Sequence, residues 1–191
     1  MKIGLLHGCR QNSDIFRNIL KDYIKIMSKD NDNIFIDIEG QYDYEFGNKM
    51  WYRTCLDIDE IGKSDIPESE INKTMLYVDK FVKENELDGL IGFSQGGNVV
   101  DTYLRTSNKN CQIKYAIIFN GYTFPLYWEL EPVVKFAELV FGKDDEIVPP
   151  RTLCRNYKFA YINVNEIGHK IITCKPFIRD IFDRFSWCNM N

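Results

Sequence analysis

The sequence predicts an α/β fold: a mostly parallel sheet of about six strands, covered by helices on both faces. Three observations on its 191 residues carry this. Short apolar runs rich in β-branched and aromatic residues recur along the chain, stripes of helical period lie between several of them, and the runs read as continuously apolar rather than alternating. Continuous runs are the pattern of strands buried on both faces. No internal repeat, low-complexity tract or linker interrupts the series, so residues 1–191 are read as a single three-layer domain.

The first strand is KIGLL at 2–6. Residues 13–27 follow with Ile15, Phe16, Ile19, Leu20, Tyr23, Ile24 and Met27 on one stripe, which predicts one helix. IFIDI at 34–38 is the second strand. A helix over 68–84 is marked by Ile71, Met75, Val78, Phe81 and Val82, and GLIGF at 89–93 is the third strand. The segment after Ser94 is again helical in period, through Val99, Val100, Tyr103 and Leu104. KYAIIF at 114–119, AELVF at 137–141 and FAYINV at 159–164 complete the strands. A last helix behind Pro176 carries Phe177, Ile178, Ile181, Phe182 and Phe185.

Two aromatic stretches break the alternation. Residues 39–66 hold Tyr42, Tyr44, Phe46, Trp51 and Tyr52, and residues 121–132 read GYTFPLYWELEP. Long connections in compact domains are often pocket walls or lids, and aromatics in them equally serve to cover a core. Both readings stay open from the sequence.

Composition narrows the function. With 45% apolar residues the chain fills a sizeable core, while a formal net charge of −4 and the lack of a basic stripe argue against nucleic acid. No run is long enough to span a membrane, and MKIGLLHGCR reads as a first strand rather than an export signal, so a cytoplasmic location is expected. Cys9, Cys55, Cys111, Cys154, Cys174 and Cys188 are scattered without a CxxC pair, which predicts reduced thiols, no disulfide framework and no metal site. The expected partner is a small molecule.

The chemistry concentrates at Gly92-Phe93-Ser94-Gln95-Gly96. The bare G-x-S-x-G pattern is weak, but a buried strand runs into it and an amphipathic helix leaves it. That is the setting of a nucleophile elbow, in which small neighbours let helix and strand pack closely and the serine hydroxyl is lifted above the sheet. A phosphate loop would need Gly-Lys-Ser/Thr where Gly97-Asn98 stands, and a dinucleotide fingerprint would need glycine in place of Ser94.

A serine hydroxyl needs a base. The chain has two histidines, His7 after the first strand and His169 after the last. FGKDDEIVPP supplies Asp144, Asp145 and Glu146 after the fifth strand. Taking Asp145 with His169 gives the order Ser, acid, His, one of the known triad orders, which His7 would break. The oxyanion donors expected are the backbone N–H groups of Gln95 and Cys9, the latter because the first and third strands should lie side by side. Arg10, Trp51 and Tyr122 are candidate pocket residues. Cys9 as a thiol nucleophile has no comparable setting.

Taken together, LLHGCRQNSDIFR, NKMWYR, LDGLIGFSQGGNVV, GKDDEIVP and GHKI resemble the α/β-hydrolase superfamily, and within it the family of serine hydrolases (FSH). The resemblance spans nearly the whole chain. Relatives commonly carry a second glycine before the histidine, where Ile167 stands here, and a proline beyond it. The family likeness implies an α/β-hydrolase fold and cofactor-free carboxylester hydrolysis through an acyl-enzyme on Ser94. It leaves open thioesters and other acyl substrates. A binding module that keeps the fold without chemistry is the alternative of another class.

Overall fold

The computed structural model describes residues 1–29, 32–53, 66–107, 111–148 and 156–190, with side chains through 184. Eight strands and five α-helices are defined there: β1 (Lys2–Leu6), α1 (Ser13–Ile19), α2 (Lys21–Lys29), β2 (Ile34–Ile38), β3 (Tyr42–Asp43), β4 (Lys49–Met50), α3 (Glu68–Asn85), β5 (Gly89–Phe93), α4 (Gln95–Thr106), β6 (Tyr115–Phe119), β7 (Phe136–Gly142), β8 (Ala160–Asn165) and α5 (Lys175–Met190).

Six strands form one sheet in the order β2-β1-β5-β6-β7-β8, every neighbouring pair parallel. Its inner strands β5, β6 and β7 are buried along their whole length. Side chains alternate between two cores. Ile3, Leu5, Ile91, Phe93, Ile117, Phe119 and Val140 pack with α1, α2 and α5 on one face. Leu6, Leu90, Ala116, Ile118, Leu139 and Phe141 pack with α3 and α4 on the other. This explains why the strands read as unbroken apolar runs: odd and even positions are both inside.

The expected side-by-side placement of the first and third strands is found in the β1–β5 pair, with Leu6 opposite Gly92. From there the chain leaves β1 toward β2 and leaves β5 toward β6, so the two connections diverge and open a crevice at the carboxyl ends.

One local expectation is corrected. The helix predicted over 13–27 is two helices, because Leu20 relaxes to ψ 5°. The Leu20 N–H still reaches Phe16 O and the Ile24 N–H reaches Leu20 O, so the apolar stripe passes through the bend and stays on the sheet. The 39–66 connection holds a short antiparallel β3–β4 hairpin around Phe46, whose φ is 58°; residues 54–65 lie outside the described residues. In the 121–132 stretch a 3-10 turn spans Pro125–Tyr127. No helix among the described residues is long and apolar enough to cross a membrane.

Candidate active site

The turn between β5 and α4 puts Ser94 at φ 53°, ψ −118°, a region that side-chain-bearing residues rarely occupy. It is held there on both sides: the Ser94 N–H donates to Phe119 O (2.9 Å) at the end of β6, and Ser94 O accepts the Asn98 N–H (2.9 Å) to begin α4. Glycine is required nearby for a steric reason. A Cβ on Gly92 would come within 2.5 Å of Gly96 O, and one on Gly96 would collide with the carbonyl oxygens of Leu6 and His7. The elbow therefore presses directly against the end of β1.

His169 reaches this serine, and Asp145 reaches His169. His169 Nε2 lies 2.8 Å from Ser94 Oγ, and His169 Nδ1 lies 2.8 Å from Asp145 Oδ2. An ionised carboxylate can only accept, so the imidazole carries its proton on Nδ1 and the serine hydroxyl donates to Nε2. Asp145 is buried and its second oxygen accepts the N–H groups of Ile147 (2.9 Å) and Val148 (2.8 Å), which fixes the carboxylate plane. Asp144 and Glu146, the rival acids in the sequence, are exposed.

Asn120, which no motif in the sequence marks, joins the acid loop to the histidine loop. Its Oδ1 accepts the Gly142 N–H (2.9 Å), and its Nδ2 donates to Lys170 O (3.1 Å) and Gly168 O (3.4 Å). The carbonyls of Ile167 and Gly168 lie so close to Gly142 that any Cβ there would collide with them. Ile167, the departure from the family pattern, leaves its side chain partly exposed while its carbonyl makes this approach. Phe93 backs the imidazole at 5.0 Å between ring centres. An asparagine after an apolar strand is too common to be singled out in a sequence; a φ of 45° at Asn120 is the feature that distinguishes it.

The loop after β1 forms the other side. Its Gly8 N–H is taken by Gln11 Oε1 (2.9 Å), its Arg10 N–H by Lys49 O (3.1 Å) and its Gln11 N–H by Gly8 O (3.3 Å). Among the described residues, the Cys9 N–H makes no hydrogen bond. The Gln95 N–H begins α4, where the first N–H groups have no partner within the helix. The Gln95 side chain is fully engaged: Oε1 accepts the Trp51 N–H (2.9 Å) and Nε2 donates to Tyr52 O (3.2 Å). Trp51 Nε1 in turn donates to His7 O (2.8 Å).

Those bonds correct the expected pocket. Trp51 is completely buried, and Tyr122 is buried with its hydroxyl 2.9 Å from that of Tyr52, while Asn98 Nδ2 donates to Tyr122 O (2.6 Å) and Asn98 Oδ1 accepts the Tyr52 hydroxyl. Burial pushes both phenols well above their ordinary range, so they stay protonated. Both aromatics support the turn from beneath instead of lining an open wall. Arg10 is exposed, its guanidinium 4.9 Å over the Tyr44 ring.

His7 is no second base. Its Nε2 accepts the Gly40 N–H (3.0 Å), which leaves the proton on Nδ1 for Gly8 O (2.7 Å). Burial lowers its pKa and keeps it neutral. Burial also raises the Cys9 thiol, the wrong direction for a thiolate nucleophile. Cys9, Cys111 and Cys174 are free; Cys55 and Cys154 lie outside the described residues, as does the side chain of Cys188.

Comparison with known proteins gives the chain a family and a fold. A family model described as serine hydrolase (FSH1) matches residues 1–179. An esterase of Aedes aegypti is 26% identical over 167 residues, covering 78% of this chain and 61% of that relative. The chain thus spans about three fifths of the length of the curated relative it matches. Among solved structures, a Bacillus cereus carboxylesterase superposes with a TM-score of 0.74 at 16% identity, over 97% of this chain and 87% of that one. A carboxylesterase from Mesorhizobium loti gives 0.71 at 14% identity, over 97% and 88%. At such low identity the likeness is one of fold, and that fold is the α/β-hydrolase fold.

Proposed function

Since the chain belongs to the serine hydrolase (FSH1) family, we propose that it is a carboxylic ester hydrolase acting through an acyl-enzyme on Ser94, with residues 1–191 as one catalytic domain. The observation that carries the reading is the unbroken hydrogen-bonded chain from Asp145 through His169 to Ser94 at a strained elbow.

Ser94 Oγ attacks the ester carbonyl carbon as His169 Nε2 takes the hydroxyl proton. Negative charge moves to the carbonyl oxygen, where the N–H groups of Cys9 and Gln95 receive it, aided by the positive end of α4. Asp145 holds the imidazolium. Collapse of the tetrahedral adduct breaks the ester C–O bond, and His169 returns its proton to the leaving alkoxide. Water, deprotonated by His169, then attacks the acyl carbon, releases the acid and regenerates Ser94. No step calls for a metal or cofactor.

The substrate proposed is a small or medium acyl or aryl ester, with a thioester as the other leaving-group class. Free thiols at Cys9, Cys111 and Cys174 support a reducing, cytoplasmic location. The test is labelling with a fluorophosphonate, followed by mass spectrometry of the adduct, alongside p-nitrophenyl ester and acyl-thioester turnover. The adduct is expected on Ser94, and Ser94→Ala should remove both adduct and turnover. A labelled residue elsewhere, or full ester turnover by that variant, rejects the reading; turnover of thioesters alone keeps the triad and changes the substrate class.

A further inference from the structure

Among the described residues, strand β8 ends the sheet on the side opposite β2. Its polarity follows from its inner neighbour: the Ala137 N–H donates to Phe159 O (3.1 Å) and the Lys143 N–H to Asn165 O (2.6 Å). Odd-numbered residues of β8 therefore turn their backbone groups toward β7, and the N–H and C=O of Ala160, Ile162 and Val164 face outward. Its apolar side chains are open, with Tyr161 54%, Ile162 53% and Val164 57% exposed and Phe159, just before the strand, 69%. Asn163 and Asn165 bond inward to Glu138 and Phe141 O, and the Arg184 guanidinium lies 4.8 Å over the Tyr161 ring. Edge strands that must stay single usually carry a charge, a proline or a bulge, and AYINVN has neither charge nor proline.

We propose that β8 is a dimer interface. A second copy of this chain pairs with it antiparallel across a two-fold axis at Ile162. The register is self-complementary: Ala160 and Val164 exchange backbone hydrogen bonds with Val164 and Ala160 of the second copy, and Ile162 does so with its own counterpart. On one face, Ile162 packs against Ile162 of the second copy. On the other, Tyr161 lies opposite Asn163 and Phe159 opposite Asn165.

Charge selects this axis. It brings Lys158, in the bend just before β8, to the end where Glu166 of the second copy leaves its strand, and Glu166 likewise to Lys158. Among the described residues these side chains hold exposed ion pairs, Lys158 with Glu131 (2.7 Å) and Glu166 with Lys143 (3.6 Å), which are worth little and re-pair easily. Moving the axis to Ala160 sets Lys158 against Ile162, and moving it to Val164 sets Glu166 against Ile162. The Ile162 axis alone joins the longest ladder to opposite charges at both ends. The sites of Ser94 lie at the carboxyl ends of inner strands, so each copy keeps its own.

Sedimentation equilibrium on the full chain, from micromolar to submillimolar concentration, tests this. The wild type is expected to dimerise reversibly, and Ile162→Lys to be monomeric with an unchanged melting temperature. Lys158→Glu and Glu166→Lys should each weaken the dimer at least about tenfold, and the double reversal should recover it. A wild type monomeric throughout, or a dimer indifferent to Ile162→Lys, overturns the proposal. So does a dimer that Ile162→Lys breaks but whose affinity the charge reversals leave unmoved.

Discussion

Two arms meet at Ser94, and they are held by different means. The amino-terminal arm, made of the β1 loop and residues 50–52, is locked by burial. Trp51 and Tyr52 have no exposed surface, and their bonds to His7 O, Gln95 and Asn98 lie wholly inside. The carboxyl-terminal arm, made of the loops after β7 and β8, keeps its histidine partly open to solvent and is fixed by short polar contacts through Asp145 and Asn120. The difference matches the work proposed for each. A donor pair for an oxyanion is most effective when it does not reorganise, whereas a base must exchange protons with substrate and water.

That contrast breaks most visibly in the carboxyl-terminal arm. Asp145→Asn leaves an oxygen for the Ile147 and Val148 N–H groups but turns an amide donor toward His169 Nδ1, favouring the wrong tautomer. The ester kcat is expected to fall about ten-thousand-fold, with His169→Ala similar, while the melting temperature moves little. Collapse of the fold in either variant would mean that this arm is structural first.

The amino-terminal arm should fail in the opposite sense. Gly96→Ala drives a methyl into the Leu6 and His7 carbonyls, which are backbone and have no room to yield. A loss of at least about 3 kcal/mol in urea unfolding is expected, at the upper end of overpacking costs, with activity lost alongside. A stable Gly96→Ala protein would show that the elbow and β1 separate more easily than their contact implies.

A milder cut sharpens the comparison. Trp51→Phe keeps an aromatic ring but removes the donor to His7 O and leaves a cavity where the fused ring stood, so the buried carbonyl's cost of about 1–3 kcal/mol comes with a packing loss. Because the carbonyl belongs to the loop that presents the Cys9 N–H, kcat should drop about tenfold with KM nearly unchanged. An unchanged kcat together with lost stability would confine Trp51 to packing.

The two arms also differed in how far the sequence disclosed them. Strand–turn–helix patterning around Ser94, and an acid and a histidine following later strands, were enough to bring Asp145 and His169 to the serine, because the fold carries strand ends to one edge. The Trp51–Gln95–His7 clamp was hidden. It joins residues 44 positions apart through backbone groups that every sequence possesses, and an aromatic beside a glycine-rich turn looks the same whether it faces solvent or core. The Leu20 bend was equally silent, since neither glycine nor proline marks it. Bare edges such as β8 are legible only once strand order is known.

The finest distinction between the arms is pH. His7 is buried, with its lone pair on Nε2 accepting the Gly40 N–H. Desolvation lowers its pKa despite Gly8 O and Glu39, which act the other way. In the unfolded chain it titrates near 6.5, so between that value and its lower folded pKa the unfolded state binds more protons. His7 therefore adds stability above pH 6.5, and that contribution is lost progressively as pH falls through this window. His7→Asn should flatten the acid side of the melting-temperature profile relative to wild type. If the two profiles run parallel from pH 7 downward, the His7 imidazole is accepting its proton without disturbing the Gly40 contact, and the amino-terminal arm is looser than its burial suggests.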